Sequence, residues 1–168
     1  QTARRAGCGK LLVADLEDSR LAVAARHGAD VTINSAQTDL VARVKELTQG
    51  RGVDIVIEAV GAEPTIRAGV ASLRKGGAMT VIGNIAPNIS FPVQEVVTRE
   101  LRIQGSCASA GEYPACLEFL ERGWVDVSDA ISEIVPLERG PEMFERLHQR
   151  EAGLNKVILR PNPAEASA

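Results

Sequence analysis

The chain has 168 residues, 45% of them hydrophobic and 24% charged, the balance of an ordinary globular domain large enough to bury a core. Its 19 basic and 22 acidic residues are interspersed, which argues against the concentrated basic patch that a nucleic acid or an anionic membrane surface requires. No apolar run approaches the roughly 18 residues of a membrane span, and residues 1–20 carry no signal-peptide core.

Aromatic residues make up only 3% of the chain, so Val, Ile, Leu and Ala must build the interior, as they do in buried parallel sheets. Cys8, Cys107 and Cys116 are odd in number and widely spaced, which suits reduced thiols in a cytoplasmic protein better than a disulfide framework. The chain starts at Gln1 and runs directly into helix-compatible residues, as expected of a piece of a longer protein.

Residues 1–6, QTARRA, predict the last turns of a helix, ended by Gly7 and Gly9. Leu11 to Ala14 is a short apolar strand. A helix over 19–27 follows, capped by Asp18 or Ser19, with Leu21, Ala24 and Ala25 as its inner stripe and Gly28 at its end. Residues 30–34 form a second strand. Leu40, Val41, Val44 and Leu47 recur at helical spacing, closed by Gly50 and Gly52. VDIVIEAVG (53–61) is the strongest strand, and its composition predicts burial on both faces.

Residues 65–73 are helical, 76–83 a strand, 93–97 a short helical turn, 101–106 a strand and 114–121 a helix. This alternation, with short connections and near-continuous apolar strands, predicts an α/β fold of βαβ units: a parallel sheet covered by helices on both sides. After Gly123 the rhythm changes. A strand at 134–136, a helix at about 141–149 and a strand at 156–159 fit poorly onto the series, so a domain boundary is placed near Val125. Met143, Phe144 and Leu147 form a stripe expected to face the core. The tail over 162–168, NPAEASA, is expected to be disordered.

A single carboxylate, Asp15, stands where the first strand ends. Ligands of open parallel sheets sit outside the carboxyl ends of the strands, and in a dinucleotide site an acid closing the second strand accepts bonds from the adenosine ribose. Asp15 has that address if Leu11 to Ala14 is a second strand, with QTARRAG as the helix before it. A carboxylate there repels the extra phosphate of NADP, because two charges about 4 Å apart cost about 1 to 4 kcal/mol at dielectrics between water and a protein surface. NAD is then favoured. The alternative is that Asp15 only caps the helix at 19–27, and that Arg20 is only a solvated helix residue rather than a neighbour of the adenosine. RAGCGK (5–10) is not the phosphate loop, since it follows a helix and opens a strand.

Taken in order, LLVADLEDSRLAVAARHGADVTIN, VDIVIEAVGAEPTIRAGVASLRKGGAMTVIG, LRIQGSCASAGEYPACLEFLERGWVDV and ISEIVPLERGPEMFERL resemble the medium-chain dehydrogenase/reductase family. The likeness is greatest to its zinc-dependent, NAD-using sorbitol and threonine dehydrogenase branch, and it spans about residues 1–161. It implies a Rossmann-type doubly wound parallel sheet over 1–125, lacking its first strand and glycine loop. Residues 126–161 are implied to be a returning piece of a GroES-like catalytic domain, so that the chain is a C-terminal fragment of its parent.

By the same resemblance Asp15 is the ribose ligand and Arg20 the adenosine-side arginine. Val60 and Gly61 form the turn beside the nicotinamide half of the coenzyme, and Ile82, Gly83 and Asn84 the loop that meets the nicotinamide carboxamide. Ser106 and Cys107 lie in a stretch that also touches the coenzyme, and Cys107 is expected to be a small packed side chain rather than a nucleophile. The sorbitol enzymes often carry an arginine where this chain has Ala108, a departure that weighs against a polyol substrate.

The family's catalytic and structural zinc ligands are implied to lie upstream. This chain has no CxxC or CxxH, and neither His27 nor His148 has a companion at ligand spacing, so no catalytic and no metal residue is assigned. The expected parent oxidises a secondary alcohol or polyol by hydride transfer to NAD, as a homo-oligomer of two or four copies. The chain alone is expected to be inactive and, lacking a central strand and its partner domain, self-associating. The rival readings are a non-catalytic nucleotide-binding module, a zinc-free quinone reductase preferring NADPH, and an S-adenosylmethionine-dependent methyltransferase.

Overall fold

All four strand pairings among the described residues are parallel, and a helix lies between the two strands of every pair. A computed structural model describes residues 1–161; the tail expected to be disordered lies outside the described residues. The elements are α1 (Thr2–Arg5), β1 (Leu12–Asp15), α2 (Asp18–Arg26), β2 (Val31–Asn34), α3 (Leu40–Leu47), β3 (Val53–Glu58) and α4 (Glu63–Ser72). They continue with β4 (Leu73–Val81), α5 (Val93–Thr98), β5 (Arg102–Gly105), α6 (Tyr113–Glu121), β6 (Ile131–Pro136), α7 (Gly140–His148) and β7 (Lys156–Arg160).

The strands fall into three parallel groups, β1-β2, β3-β4-β5 and β6-β7. Parallel strands need a crossover, which α2, α4, α5 and α7 supply; α2 buries Leu21, α4 Ile66 and Val70, and α7 Met143, while α5 buries no residue fully. The expected doubly wound sheet is thus divided between β1 and β3, where the missing first strand was expected. After Gly123, β6, α7 and β7 form a strand–helix–strand unit whose two strands pair with each other and with none of β1 to β5.

Local chemistry sets the helix ends. The Asp39 carboxylate accepts from the Ala42 amide at 3.0 Å and starts α3. Pro64 sits in the first turn of α4, where its missing N–H costs nothing. Helix α2 departs from expectation, since neither Asp18 nor Ser19 caps it. Glu17 holds the N-cap position with no side-chain bond, and Ala25 is exposed rather than part of the inner stripe. Gly28, at φ +99°, ends α2 in the left-handed region that favours glycine.

The main core lies between α4 and β3-β4-β5, where Ile66, Val70, Leu73, Met79 and Leu101 are buried against Val53, Val56, Val81 and Ile103. Arg99 extends this packing by donating to the carbonyls of Val70 and Leu73 at the end of α4. Only one face of β3 is covered. Ile55 is 67% and Ile57 59% exposed, against the expectation of burial on both faces. Helix α6 buries no residue, and in α7 Met143 is buried while Phe144 points to solvent. The chain's surface of 11593 Å² well exceeds the roughly 8,000 Å² of a compact monomer of this length.

Two clasps hold the segment after α6 to the chain's first helices. Gln1 and Asp126 exchange bonds in both directions, Nε2 to the Asp126 carbonyl at 2.6 Å and the Asp126 amide to Oε1 at 2.7 Å. The Asp129 carboxylate takes Arg26 and His27 at 3.0 Å each. The guanidinium groups of Arg5 and Arg122 lie 4.0 and 4.8 Å from the ring centre of Trp124, which also rests against Phe119 at 5.6 Å.

Candidate functional site

Parallel pairing in register brings Glu58, Val81 and Gly105 side by side at the carboxyl ends of β3, β4 and β5. The turns beyond those ends are tied to one another by backbone bonds. The Ile82 amide donates to the Glu58 carbonyl at 2.8 Å, the Ser106 amide to the Val81 carbonyl at 2.9 Å, and the Ala86 amide to the Gly61 carbonyl at 2.9 Å. Val60, Gly61, Ile82, Gly83, Asn84, Ser106 and Cys107 therefore share one edge of this sheet. Asp15 and Arg20 stand apart from them at the carboxyl end of β1, in the other strand pair.

Gly61 and Gly83 cross backbone to backbone. A Cβ on Gly61 would lie 2.1 Å from the Gly83 carbonyl carbon, and Gly61 has φ +77°. No side chain fits between the two turns, and Val60, Ile82 and Asn84 are exposed around the crossing. Ser106 is exposed beyond β5. Cys107 is exposed too, rather than packed as expected, and it and Cys116 are free thiols.

Asp15 is the last residue of β1 rather than the residue after it. One of its oxygens accepts from the Glu17 amide at 3.0 Å, bending the chain into α2, so Asp15 is not itself the helix cap. The other oxygen lies 3.9 Å from Arg20, which also pairs with Glu17 at 3.4 Å. The carbonyl of Asp15 is held by the Ser35 amide at 3.0 Å, which fixes where the carboxylate stands. This leaves a half-open acid beside a mobile-length cationic side chain at a strand end, an arrangement suited to vicinal hydroxyl groups.

Glu58 was not singled out from the sequence. It is 5% exposed, and its carboxylate accepts from the amides of Val60 at 3.0 Å and Gly61 at 2.9 Å and from the Thr65 hydroxyl at 2.7 Å. The available signal was a carboxylate inside the most apolar strand, since a buried charge needs partners to be tolerated. Nearby, Glu63 binds the Ser90 amide at 3.0 Å and Arg67 at 2.9 Å, which holds its carboxyl below the usual carboxylate range.

Comparison with known proteins places this arrangement. Residues 1–122 match the family model described as zinc-binding dehydrogenase. The chain belongs to that family. A sorbitol dehydrogenase of Bacillus subtilis is 33% identical over 161 residues, covering 95% of this chain and 46% of the relative. A D-arabitol-phosphate dehydrogenase of Enterococcus avium is 30% identical, covering 98% and 47%. Among solved structures, alcohol dehydrogenase TADH from Thermus sp. ATN1 superposes with a TM-score of 0.83 at 31% identity, covering 95% of this chain and 46% of that one. An alcohol dehydrogenase from Thermotoga maritima gives 0.86 at 30%, covering 96% and 46%.

This member of the zinc-binding dehydrogenases thus spans about half the length of the curated relatives it matches. Its parallel α/β architecture is Rossmann-type, as the resemblance implied. Among the described residues no group of three or more His, Cys, Asp or Glu side chains converges in a way that could hold a metal ion. No helix among them is long and apolar enough to cross a membrane.

Proposed function

We propose that the chain is the coenzyme-binding half of a cytoplasmic zinc-dependent dehydrogenase that oxidises a secondary alcohol or polyol, with NAD as coenzyme and the zinc ligands on another part of the parent. The coenzyme, when bound, would supply the acceptor for a hydride leaving the alcohol carbon. In this reading residues 1–125 are the coenzyme domain and 126–161 a piece of the GroES-like catalytic domain. The sorbitol and arabitol-phosphate dehydrogenases among the relatives support an alcohol or polyol as substrate, and the large uncovered surface supports association into a homo-oligomer.

One observation carries the reading: a carboxylate, Asp15, closes β1 with one oxygen tied to the backbone and the other open beside Arg20. The free oxygen accepts from a ribose hydroxyl, and its charge opposes a phosphate at the same place. The Gly61–Gly83 crossing gives the nicotinamide half a wall of bare backbone; the amides of Val60, Gly61, Ile82 and Gly83 are taken up by Glu58, so the carbonyls of this wall are what suits a carboxamide NH2. Val60 and Ile82 offer an apolar rim to the ring, and Asn84, Ser106 and Cys107 a polar one.

The test is a titration of the chain with NADH, NADPH and S-adenosylmethionine, followed by fluorescence or calorimetry. NADH binds, and NADPH binds about tenfold or more weakly, which is about 1.4 kcal/mol and within the 1 to 4 kcal/mol repulsion. Binding of S-adenosylmethionine without NADH, or equal affinity for the two nicotinamide coenzymes, overturns the assignment.

A further inference from the structure

A carboxylate buried to 5% exposure loses most of its hydration, and a strand as apolar as β3 has no use for it in packing. Glu58 recovers the loss by accepting only from donors. Its side chain takes the amides of Val60 and Gly61 and the hydroxyl of Thr65, a residue in the first turn of α4. Its own carbonyl takes the amides of Ile82 at 2.8 Å and Gly83 at 3.2 Å. One residue therefore grips both turns, the first through its side chain and the second through its backbone, at the point where Gly61 and Gly83 touch.

We propose that Glu58 is a positioning residue for the nicotinamide half of the coenzyme: it locks the Val60–Gly61 and Ile82–Gly83 turns into one rigid unit. The proposal deepens the coenzyme reading above and rests on it. Glu58 is placed to touch no ligand itself, because it is 5% exposed and both of its carboxylate oxygens meet donors of the protein. It acts by keeping the two bare-backbone turns at a fixed spacing, so that a carboxamide and a ring meet preset groups rather than ordering them on binding. The loop after β4 belongs to the same unit, since Ala86 donates to the Gly61 carbonyl.

The isosteric change Glu58→Gln tests this, because it sets an amide NH2 against the Gly61 amide, which donates to Oε2 at 2.9 Å. Two readouts are taken on the 168-residue chain. In hydrogen exchange followed by mass spectrometry, peptides covering 59–66 and 80–88 both speed up about tenfold, the scale of one lost charge-assisted bond. A peptide covering 12–16 on β1 does not change. In binding, NADH weakens about tenfold while 5′-AMP, which reports the adenosine side at Asp15, stays within about twofold.

A uniform loss of protection, or equal weakening of NADH and 5′-AMP, reduces Glu58 to a general stabiliser and overturns the proposal. So does faster exchange in 59–66 alone. Should Glu58→Gln fail to fold, Thr65→Val removes the hydroxyl that donates to Oε1 of Glu58 at 2.7 Å and gives the same paired pattern at about threefold; no change in either peptide overturns the proposal. Failure of the unaltered chain to bind NADH or 5′-AMP sinks the coenzyme reading and with it the positioning role, whereas the exchange pattern alone decides whether Glu58 couples the turns.

Discussion

Gly61 and Gly83 approach so closely that a Cβ on either would sit 2.1 Å from a backbone atom of the other turn. Real Cβ atoms do not make such contacts, so the crossing exists only because both residues are glycine.

The first expectation concerns that crossing. Gly61→Ala adds the left-handed penalty at φ +77° to a collision with backbone, and destabilises by roughly 2–5 kcal/mol. Gly50→Ala is the control. It has φ +81° but open space around its Cβ, and costs only about 1–2 kcal/mol. Urea midpoints measure both; equal losses would show that the crossing is looser than described.

Asp15→Ala removes the charge that opposes a 2′-phosphate. The ratio of NADH to NADPH affinity should fall about tenfold or more, mostly through tighter NADPH binding. Calorimetric titration of both coenzymes reads it directly. An unchanged ratio would mean that Asp15 only bends the chain into α2 through the Glu17 amide.

Acid should loosen the chain's first 30 residues in a way that traces to Asp30. The Leu11 amide holds its carboxyl below the usual carboxylate range, helped by Arg4. A folded-state value below the unfolded one means that the stabilisation is fully present above about pH 4, the ordinary carboxylate value. It is lost as pH falls through the lower, folded value. Asp129, held down by Arg26 and His27, contributes with the same sign. Melting temperatures between pH 6 and pH 2.5 should therefore decline, and Asp30→Asn should melt lower at pH 6 with a flatter profile. The group is on the surface, so salt weakens the effect.

Burial separates two positions that look alike in composition. Leu73→Ala empties a site that is 0% exposed and costs about 2–5 kcal/mol. Ile57→Thr alters a residue 59% exposed on the open face of β3 and stays within about 0.5 kcal/mol. The same change should reduce self-association, which sedimentation velocity reports, because the uncovered strands and α6 leave apolar surface in water.

The order of strands and helices was legible because period and punctuation are local: Asp39 before α3 and Gly28 after α2 stand beside the elements they bound. What depends on distant partners was not. Ile55 and Ile57 carry the composition of a strand covered on both sides, yet what covers a face lies elsewhere in sequence. Phe144 misled for the same reason, since helical spacing marks a stripe but does not say how much of it meets a neighbour. Cys107 was expected to pack and is exposed, because nothing local distinguishes a small buried thiol from a loop thiol. At the candidate site, the turns after β3 and β4 were located by resemblance. The clamp at Glu58 was overlooked because its donors come from a turn and a helix whose convergence only the fold makes visible.

The chain has a single tryptophan, and Trp124 packs against both Arg5 near the start and Arg122 at the end of α6. Two guanidinium groups over one indole make its emission a built-in optical gauge. Withdrawal of the first helix, whether by proteolysis, dilution or docking of another polypeptide, changes the dye that the sequence already carries, and the seating of α1 can be followed without any added label.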